Sequence, residues 1–547
     1  MDGGSSWSQL IFLSIRVQID AFKLNPLGYL QGWAWRIRGL KVRSKNRISA
    51  LSGRSPKAYA LWIRRTEPKL FAAIAQVTVA TSNTIRPVID CRQSLAGLNV
   101  TLASLSEAGC HAEAILIGGT GTVEGLHIEQ PRELATLIEG GGHWVMPLIC
   151  GDTVAPVTSD AYLHAIGVHS RETSIIYADD DVIGKDGERS NPHFKPDWNP
   201  DLFQWHDYIT GSAIVWAEPS MLKKLPSTKW AEWLVHEQVK DGRKPLHLPF
   251  VLHHRSDRPA PERPLKPPFL GLDALPEVTA IIPTRNHADL LEECLAGIAR
   301  ARYPRVKTLI VDNGSDDPTT LALLASQEAT GVQVLRRPGP FNYSALNNAA
   351  VAKSQSELLC FLNNDVEMID NDWLALLARQ AMRPEIGAVG ARLLYPDHTI
   401  QHAGVVIGIG GGAGHAHRFQ PASASGYFSR AHLPQQVSAV TAACLVVGRD
   451  KFLAVGGFDE VDFPVAFNDV DLCLKLNARG WQSFYEPRAT LIHHESKSRG
   501  SDSAVANRER FSGELAALKR KWHTDERRDP FHHPQLSTFC EQFLVAV

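Results

Sequence analysis

Three clusters in the second half of the chain combine residue types and spacings that can do chemistry. The run "LLCFLNNDVEMI" (residues 358–369) is apolar until Asn363, Asn364 and Asp365 interrupt it. A carboxylate ending a core segment is costly unless it is paired or holds a cation. Asp365 is a hard oxygen donor suited to Mg2+ or Mn2+, ions that keep positions open for phosphate oxygens. The stretch "FNDVDLCLKLNARGW" (467–481) carries Asp469 and Asp471 two positions apart, so on a helix they face different ways. Asp471 is placed to pair with Lys475 one turn on, in an ordinary surface role. Asp469, beside Asn468 at the expected helix start, is either a cap or a general base projecting into a cleft. In "ATLIHHESKSRG" (489–500), His493 and His494 follow an apolar run, where a strand-end histidine can complete a metal site.

The elements that must position these residues are legible around them. "VTAIIP", "VKTLIV" and "SELLCFL" are short buried strands, and "NHADLLEECLAGIARARYP" and "DNDWLALLARQAM" are amphipathic helices. The first has Asn286 or Asp289 as its expected cap. Strands alternating with helices predict a mainly parallel sheet covered on both faces, with ligands at the carboxyl ends of its strands. Polar clusters fall at three such ends: Pro283, Thr284, Arg285 and Asn286; Asp312, Asn313, Gly314 and Ser315; and Asn363, Asn364 and Asp365. Arg285 suits a phosphate and Asp312 a base or sugar, so a nucleotide diphosphate with a divalent cation fits. Residues 398–449 contain no Asp or Glu but hold His402, His415, His417, Arg418 and Arg430. Their Gly-rich run "GIGGGAGHAHR" is either a surface loop or a cover whose backbone N–H groups face an anion. The Gly408, Gly410, Ala413 spacing also fits a dinucleotide fingerprint, without the acid that should follow it.

The chain also resembles itself. "ITGSAIVW" (209–216) matches "VTAACLVV" (440–447), "VTVATSN" from Val77 matches "VTAIIPTRN", "ILIGGTG" from Ile115 matches "LIVDNGS", "PLICGDTV" from Pro147 matches "CFLNNDVE", and "GRKPLHLPFVLHH" from Gly242 matches "GWQSFYEPRATLIHH". The matches keep their order at about a domain's separation, which predicts a duplicated domain. The Pro-rich stretch "HHRSDRPAPERPLKPPFLG" reads as a stiff linker between the copies. The expected layout is an amphipathic and basic arm at 1–69, a first domain at 70–255, a linker at 256–275, a second domain at 276–500 and a helical extension at 501–547.

Bulk properties narrow the function classes. The chain is 44% hydrophobic and 21% charged with a net charge of −1, so no basic excess argues for nucleic acid. Eight scattered cysteines with no CxxC pattern read as reduced thiols, which implies the cytoplasm. No run is apolar for long enough to span a bilayer. The stretch from Trp7 is amphipathic and is followed, over 35–69, by a basic segment in which Glu67 is the sole acid. Two readings fit: peripheral contact with the inner face of the cytoplasmic membrane, or a disordered solvated arm, toward which the charge pattern leans.

Taken together, "PTRN", "VDNGSDD", "FNYSALNNAA", "FLNNDVE", "VTAACLVV", "VGGFDE", "FNDVDLCLKL" and "IHHESKSRG" resemble the family 2 glycosyltransferases of the GT-A fold, in the tandem-domain form used for bacterial polysaccharide and O-antigen assembly. The resemblance implies metal-dependent, inverting hexosyl transfer from a UDP-, dTDP- or GDP-sugar to a hydroxyl of a glycan or lipid-linked acceptor. It implies that Pro283, Thr284, Arg285, Asn286, Asp312, Gly314, Asn347, Asn363 and Asn364 bind the nucleotide-sugar. It further implies that Asp365 and His493 hold Mn2+ or Mg2+ and that Asp469 is the base. Asn363 departs from the family pattern, replacing the first acid of its DxD motif. The first copy departs further: Gly118 stands at the position of Asp312, Cys150 and Gly151 replace the paired amides although Asp152 remains, and Ala231 falls at the base position with Glu232 beside it. Residues 179–181, three aspartates in "YADDDVIGKDGERSNPHFKPDWNPD", read as a solvated turn or a metal site. The resemblance therefore implies an intact second copy and a degenerate, non-catalytic first. Two other classes compete. Phosphoryl transfer needs a Gly-rich, Lys-bearing loop that "PTRNHADLL" does not supply. The other is a non-catalytic carbohydrate- or partner-binding protein with two decayed copies.

Overall fold

The computed structural model describes residues 3–76, 83–118, 125–138, 141–169, 173–240, 242–262, 264–265, 274–495 and 508–547. Five helices come first: α1 (Gly3–Leu24), α2 (Pro26–Ile37), α3 (Lys41–Ser52), α4 (Ala58–Arg65) and α5 (Glu67–Ala75). The expectation of a disordered arm is therefore corrected. Alternating basic and apolar residues hide a helical period: Leu51, Ala58, Leu61 and Trp62 are buried, and Trp62 donates to Gln535 Oε1 at 3.0 Å.

Nine strands follow: β1 (Ile85–Asp90), β2 (Ile115–Ile117), β3 (Leu126–Ile128), β4 (His143–Ile149), β5 (Thr153–Val154), β6 (Ile175–Ile183), β7 (Arg189–His193), β8 (Ala213–Ala217) and β9 (Leu246–Arg255). Twelve more come after them: β10 (Val278–Thr284), β11 (Val306–Asp312), β12 (Gln333–Arg336), β13 (Leu358–Leu362), β14 (Val366–Met368), β15 (Ile386–Leu394), β16 (Ile400–His402), β17 (Val405–Ile407), β18 (Ala413–His415), β19 (Gln435–Val437), β20 (Cys444–Gly448) and β21 (Gln482–His493). The first nine form one sheet in the order β3-β2-β1-β4-β8-β6-β9-β5, with β7 on β6. The second sheet runs β12-β11-β10-β13-β20-β15-β21-β14, with β16 on β15 and β19 on β21. β17 and β18 pair as a separate two-stranded ribbon.

The two sheet orders coincide strand for strand, and so do the strand directions along them. β8 and β20, which carry the matched "ITGSAIVW" and "VTAACLVV", occupy the same inner place. The match beginning at Val77 lies outside the described residues apart from Asn83; the strand equivalent to β10 is β1. Val88 pairs with Ile115 as Ile281 pairs with Leu309, so Cys91 and Arg92 stand where Thr284 and Arg285 stand.

Both sheets are mixed: along each order four of the seven pairings are parallel, as expected, and three are antiparallel. β10 to β13 are parallel to one another, but β20 lies antiparallel between β13 and β15. A strand buried on both faces reads as a continuous apolar run whichever way it points, so its direction is not written in its pattern. All seven residues of β10 and all nine of β15 are buried. On one side of the second sheet lies the helix Trp373–Ala381, which buries Trp373, Leu376 and Leu377 as its period predicts. On the other lies the helix Asn468–Ala478. The Pro-rich stretch is described only in part (263 and 266–273 lie outside), and two of its described residues are tied to the fold: Arg258 bonds Asp180, and Glu262 donates its N–H to Trp205 O at 2.9 Å. Among its described residues the C-terminal segment has one helix, Arg508–Trp522, and 523–547 continue without helix, so "helical extension" holds only in part. The tail returns over both sheets, with Asp529 accepting from Ile407 N at 2.7 Å and Leu536 and Phe543 in a cluster with Tyr59 and Trp62.

Candidate active site

At the carboxyl ends of β10 and β13 lies a cleft of about 610 Å³. Pro283, Thr284, Arg285, Asn363, Asn364, Asp365, Asp469 and His493 all line it. Four expected residues do not. Asn286, in a left-handed conformation at φ 55°, uses its carboxamide on Asp316 and Asp317 and so pins the end of β10 to the loop after β11. It does not cap the following helix; that position belongs to His287, which makes no side-chain cap bond. Asp312 is buried and accepts from Ser315 N at 2.9 Å and Ser315 Oγ at 2.6 Å. Gly314, at φ 79°, turns the same loop against Pro338, and Asn313 is the residue of that loop that reaches the cleft. Asn347 is fully buried in the helix Tyr343–Val351 and donates to Tyr343 O at 2.8 Å. These side chains build the wall behind the cleft.

Asp365 and His493 meet because β14 pairs antiparallel with β21, setting Val366 opposite His493. His493 Nε2 is 3.1 Å from Asp365 Oδ1, while His494 turns away to Glu367 at 3.2 Å. The His493 Nδ1 faces Gln401 Oε1 at 2.7 Å. A carboxamide oxygen only accepts, so Nδ1 donates to it, which leaves Nε2 as the ring atom that faces Asp365 and the Asn363 amide, 3.2 Å away. A carboxylate oxygen, an imidazole lone pair and an invertible amide beside an open cleft suit a hexacoordinate divalent cation that also takes phosphate oxygens. The residues present therefore fit Mg2+ or Mn2+.

Asp469 enters from the first turn of Asn468–Ala478, whose cap is Phe467 in a left-handed conformation at φ 59°. Burial pushes its pKa up, and hydrogen bonds from Ala442 N (3.1 Å), Val470 N (2.8 Å) and the Thr441 hydroxyl offset part of that rise. A half-buried carboxyl held by its edges, with its pKa above the ordinary range, is a competent proton acceptor. Asp471, by contrast, is fully buried rather than at the surface, bound by Lys475 at 3.1 Å, Lys521 at 2.9 Å and Trp522 Nε1 at 2.9 Å. Helix Arg508–Trp522, which supplies the last two partners, has no signal in the stretch around Asp471.

The Gly-rich run is neither a loose loop nor a dinucleotide fingerprint. It forms the β17–β18 ribbon, with Gly410 N bonded to Thr538 O of the C-terminal tail. Ala413, Gly414, His415 and Arg418 face the cleft. His402 and His415 share a 2.9 Å contact and burial lowers both, His415 to about 3, so neither is a cation at neutral pH. His417 and Arg430 lie behind, against Phe543. Gln401, Glu495, Phe511 and Glu541 also line the cleft. Glu541 accepts from His415 N at 3.0 Å, and burial raises its pKa. No motif marks Gln401, Phe511 or Glu541, which come from β16 and the C-terminal segment; Glu495 sits in the quoted "IHHESKSRG" run just past β21.

The three aspartates of residues 179–181 are on β6 and fully buried, which corrects the reading of a solvated turn. Asp180 pairs with Lys195 at 2.7 Å and with Arg258; Asp181 meets Arg189 at 2.6 Å, His254 at 2.7 Å and Tyr59 Oη at 2.5 Å. Asp179, His247 and His533 bring ligand-type atoms within 4.8 Å of one another. His247 bridges Asp197 at 3.0 Å and Asp179 at 2.9 Å, and although burial opposes its charge, the two carboxylates raise its pKa. His533 Nδ1 accepts from Gln535 N at 3.0 Å, so its Nε2 carries the proton toward Asp179 Oδ2 at 2.8 Å. This cluster ties the tail to the first sheet.

The chain is similar to several known proteins. The model of the family "Glycosyl transferase family 2" matches residues 279–406. The uncharacterized protein y4gI of Sinorhizobium fredii is 38% identical over 467 residues, 77% of this chain and 51% of that protein. The O-antigen biosynthesis protein RfbC of Myxococcus xanthus is 35% identical over 410 residues, 67% of this chain and 32% of that protein. The chain thus spans about half of the length of the first of these relatives and about a third of the second. The N-acetylglucosaminyl-diphospho-decaprenol L-rhamnosyltransferase of Mycobacterium tuberculosis is 30% identical over 250 residues, 42% of this chain and 80% of that enzyme. Among solved structures, the mannosyltransferase PcManGT from Pyrobaculum calidifontis superposes on 48% of this chain and 68% of its own at 19% identity, with a TM-score of 0.35, too slight a likeness to argue from. With the family model on the strands that frame the cleft, and with four-fifths of one transferase matched, the chain belongs to the family 2 glycosyltransferases.

Proposed function

We propose that the second sheet unit is a GT-A-type, inverting glycosyltransferase. It moves a sugar from a nucleotide-diphosphate donor to a hydroxyl of a glycan or lipid-linked acceptor, in bacterial cell-surface polysaccharide synthesis on the cytoplasmic side of the membrane. The observation that carries this reading is the convergence of Asp365, His493 and Asp469 on one cleft from distant parts of the chain. Asp469 accepts the proton of the acceptor hydroxyl as its oxygen attacks the anomeric carbon from the face opposite the departing diphosphate. Arg285, at the cleft mouth, stabilises negative charge on that diphosphate. Asp365 and His493 would hold a divalent cation, which would supply Lewis-acid stabilisation of the same leaving group. The cleft walls align acceptor and donor and exclude water.

The first sheet unit, on this reading, is non-catalytic and supports the second. Arg92 lies in the space that an Asp312-like side chain needs: a Cβ on Gly118 would overlap it, and Asp90 and Ser227 O hold it there. Cys91 and Cys150 set two thiols 3.2 Å apart where the second unit has polar groups. Asp152 is occupied by Ser256 N and Oγ at 2.8 and 2.9 Å.

A thermal-shift screen against UDP-, GDP- and dTDP-sugars with Mn2+ tests the proposal. A ligand present at about a hundred times its Kd adds about 2.7 kcal/mol of stability. One donor class is expected to raise Tm only when the cation is present, and absence of a shift with all three refutes the donor reading.

A further inference from the structure

The first 66 residues distribute charge and apolar surface unlike the rest of the chain. They hold twelve lysines and arginines against two acids, in a protein whose net charge is −1. One of those acids, Asp20, is held by Ser55 Oγ at 2.7 Å and Arg16 at 3.5 Å. On α1, Trp7, Ile11, Phe12, Ile15, Ile19 and Phe22 recur every three or four residues along one side and are all exposed, while Val17 and Ala21 on the other side are fully buried. α3 and α4 cover that buried side. On α2, Leu27, Leu30, Trp33 and Ile37 make a second exposed stripe, with Leu27 and Ile37 at 82% and 84% exposure. The Tyr29 ring joins the stripes, 5.9 Å from Phe22 and 6.4 Å from Trp33.

A helix apolar on both sides belongs inside something, and among the described residues nothing covers the outer side of α1. Single exposed apolar side chains are ordinary, but two aligned stripes are not. Directly after them come Arg36, Arg38, Lys41, Arg43, Lys45 and Arg47, all exposed. Whatever covers this face must be apolar at depth and anionic at its edge. A second copy would satisfy the first condition and violate the second, because it would bring like charge against like charge.

We propose that α1 and α2 lie in the surface of an anionic lipid bilayer, with their apolar stripes among the upper acyl chains and the α2–α3 basic segment against the lipid phosphates. No helix in the described residues is long and apolar enough to cross a membrane, so the contact lies on the bilayer and does not span it. Trp7 and Trp33 put aromatic rings at the boundary between chains and headgroups. This inference does not depend on the transfer reaction.

The test is co-sedimentation of the full chain with vesicles of phosphatidylcholine alone and of equimolar phosphatidylcholine and phosphatidylglycerol. The protein is expected to pellet with the mixed vesicles and at least about tenfold less with the neutral ones, because the basic segment gains only from anionic lipid. Leu27→Glu with Ile37→Glu, at positions too exposed to disturb packing, is expected to abolish pelleting with an unchanged Tm. Arg38→Gln, Lys41→Gln and Arg43→Gln together are expected to weaken it about a hundredfold, about fivefold per charge. The proposal is overturned if neither vesicle pellets the protein, if both variants pellet like the wild type, or if sedimentation equilibrium shows a dimer that Leu27→Glu dissolves.

Discussion

Asp469→Asn separates chemistry from architecture, because it keeps the shape of the side chain and removes its basicity. In the wild type the carboxylate is held by Ala442 N at 3.1 Å and Val470 N at 2.8 Å, and burial sets its pKa above the ordinary value. A positioned general base contributes roughly 10²–10⁴-fold, so the variant is expected to lose that factor in kcat, about 3–5 kcal/mol of barrier. Stability follows a different sign. A carboxyl whose folded pKa exceeds its unfolded value binds its proton more tightly in the fold, so above both values its ionised form detracts from stability, and a neutral isostere removes that penalty. Against this, one backbone N–H meets an amide NH2 in place of an oxygen, a loss of about 1–3 kcal/mol. The two effects oppose, and Tm is expected to stay within about 4 °C of wild type. The assay is steady-state release of nucleoside diphosphate from the donor identified by thermal shift. In wild type, kcat/KM is expected to fall on acidification through the raised pKa of Asp469, at a higher pH than an unperturbed aspartate would give; in the variant that limb disappears. Turnover within about threefold of wild type would refute the assignment of Asp469 as the base. A collapse in Tm of more than about 10 °C would make its role structural.

Two further outcomes follow from the same contacts. Gln401→Ala removes the acceptor that fixes the His493 tautomer and is expected to weaken Mn2+ binding about 10–100-fold, as read by Mn2+ titration of the thermal shift with nucleotide present; unchanged affinity would show that the Gln401 contact does not orient His493. Lys195→Met leaves Asp180 with Arg258 and without its second cation, and is expected to destabilise the chain by about 3 kcal/mol in urea unfolding. Burial alone would raise Asp180, but Lys195 and Arg258 hold it well below the carboxylate range. Its stabilising contribution is therefore full above the unfolded carboxylate pKa and lost as pH falls below about 4. The variant is expected to show a flatter Tm-against-pH curve on the acid side, and an equal slope would mean that the pair carries no linkage.

Much of the second sheet unit and part of its cleft are legible in the chain itself, because the signals are local. A β-branched run that stops at Thr284 or Leu362 and turns polar marks a buried strand reaching the sheet's edge, where the next side chains meet solvent or ligand. Asp365, His493 and Asp469 stand out for the same reason, as acids and imidazoles abutting apolar runs. The duplication, too, is visible as repeated apolar patterns. Other features depend on what packs against a residue, and a one-dimensional pattern does not contain that. The direction of β20 is set by its neighbours β13 and β15, not by its own buried residues. Three aspartates on β6 look solvated until Lys195, Arg258, Arg189 and three histidines gather around them. Asp312, Asn286 and Asn347 have the chemistry of ligand-binding groups, yet their hydrogen bonds close on the protein. Gln401, Phe511 and Glu541 reach the cleft only because β16 and the C-terminal segment fold back to it. Residue type and local period thus determined which segments are buried and which side chains carry reactive groups. Only tertiary structure decided which of those groups remain available to a ligand, because every hydrogen bond or ion pair made within the fold removes one from the cleft.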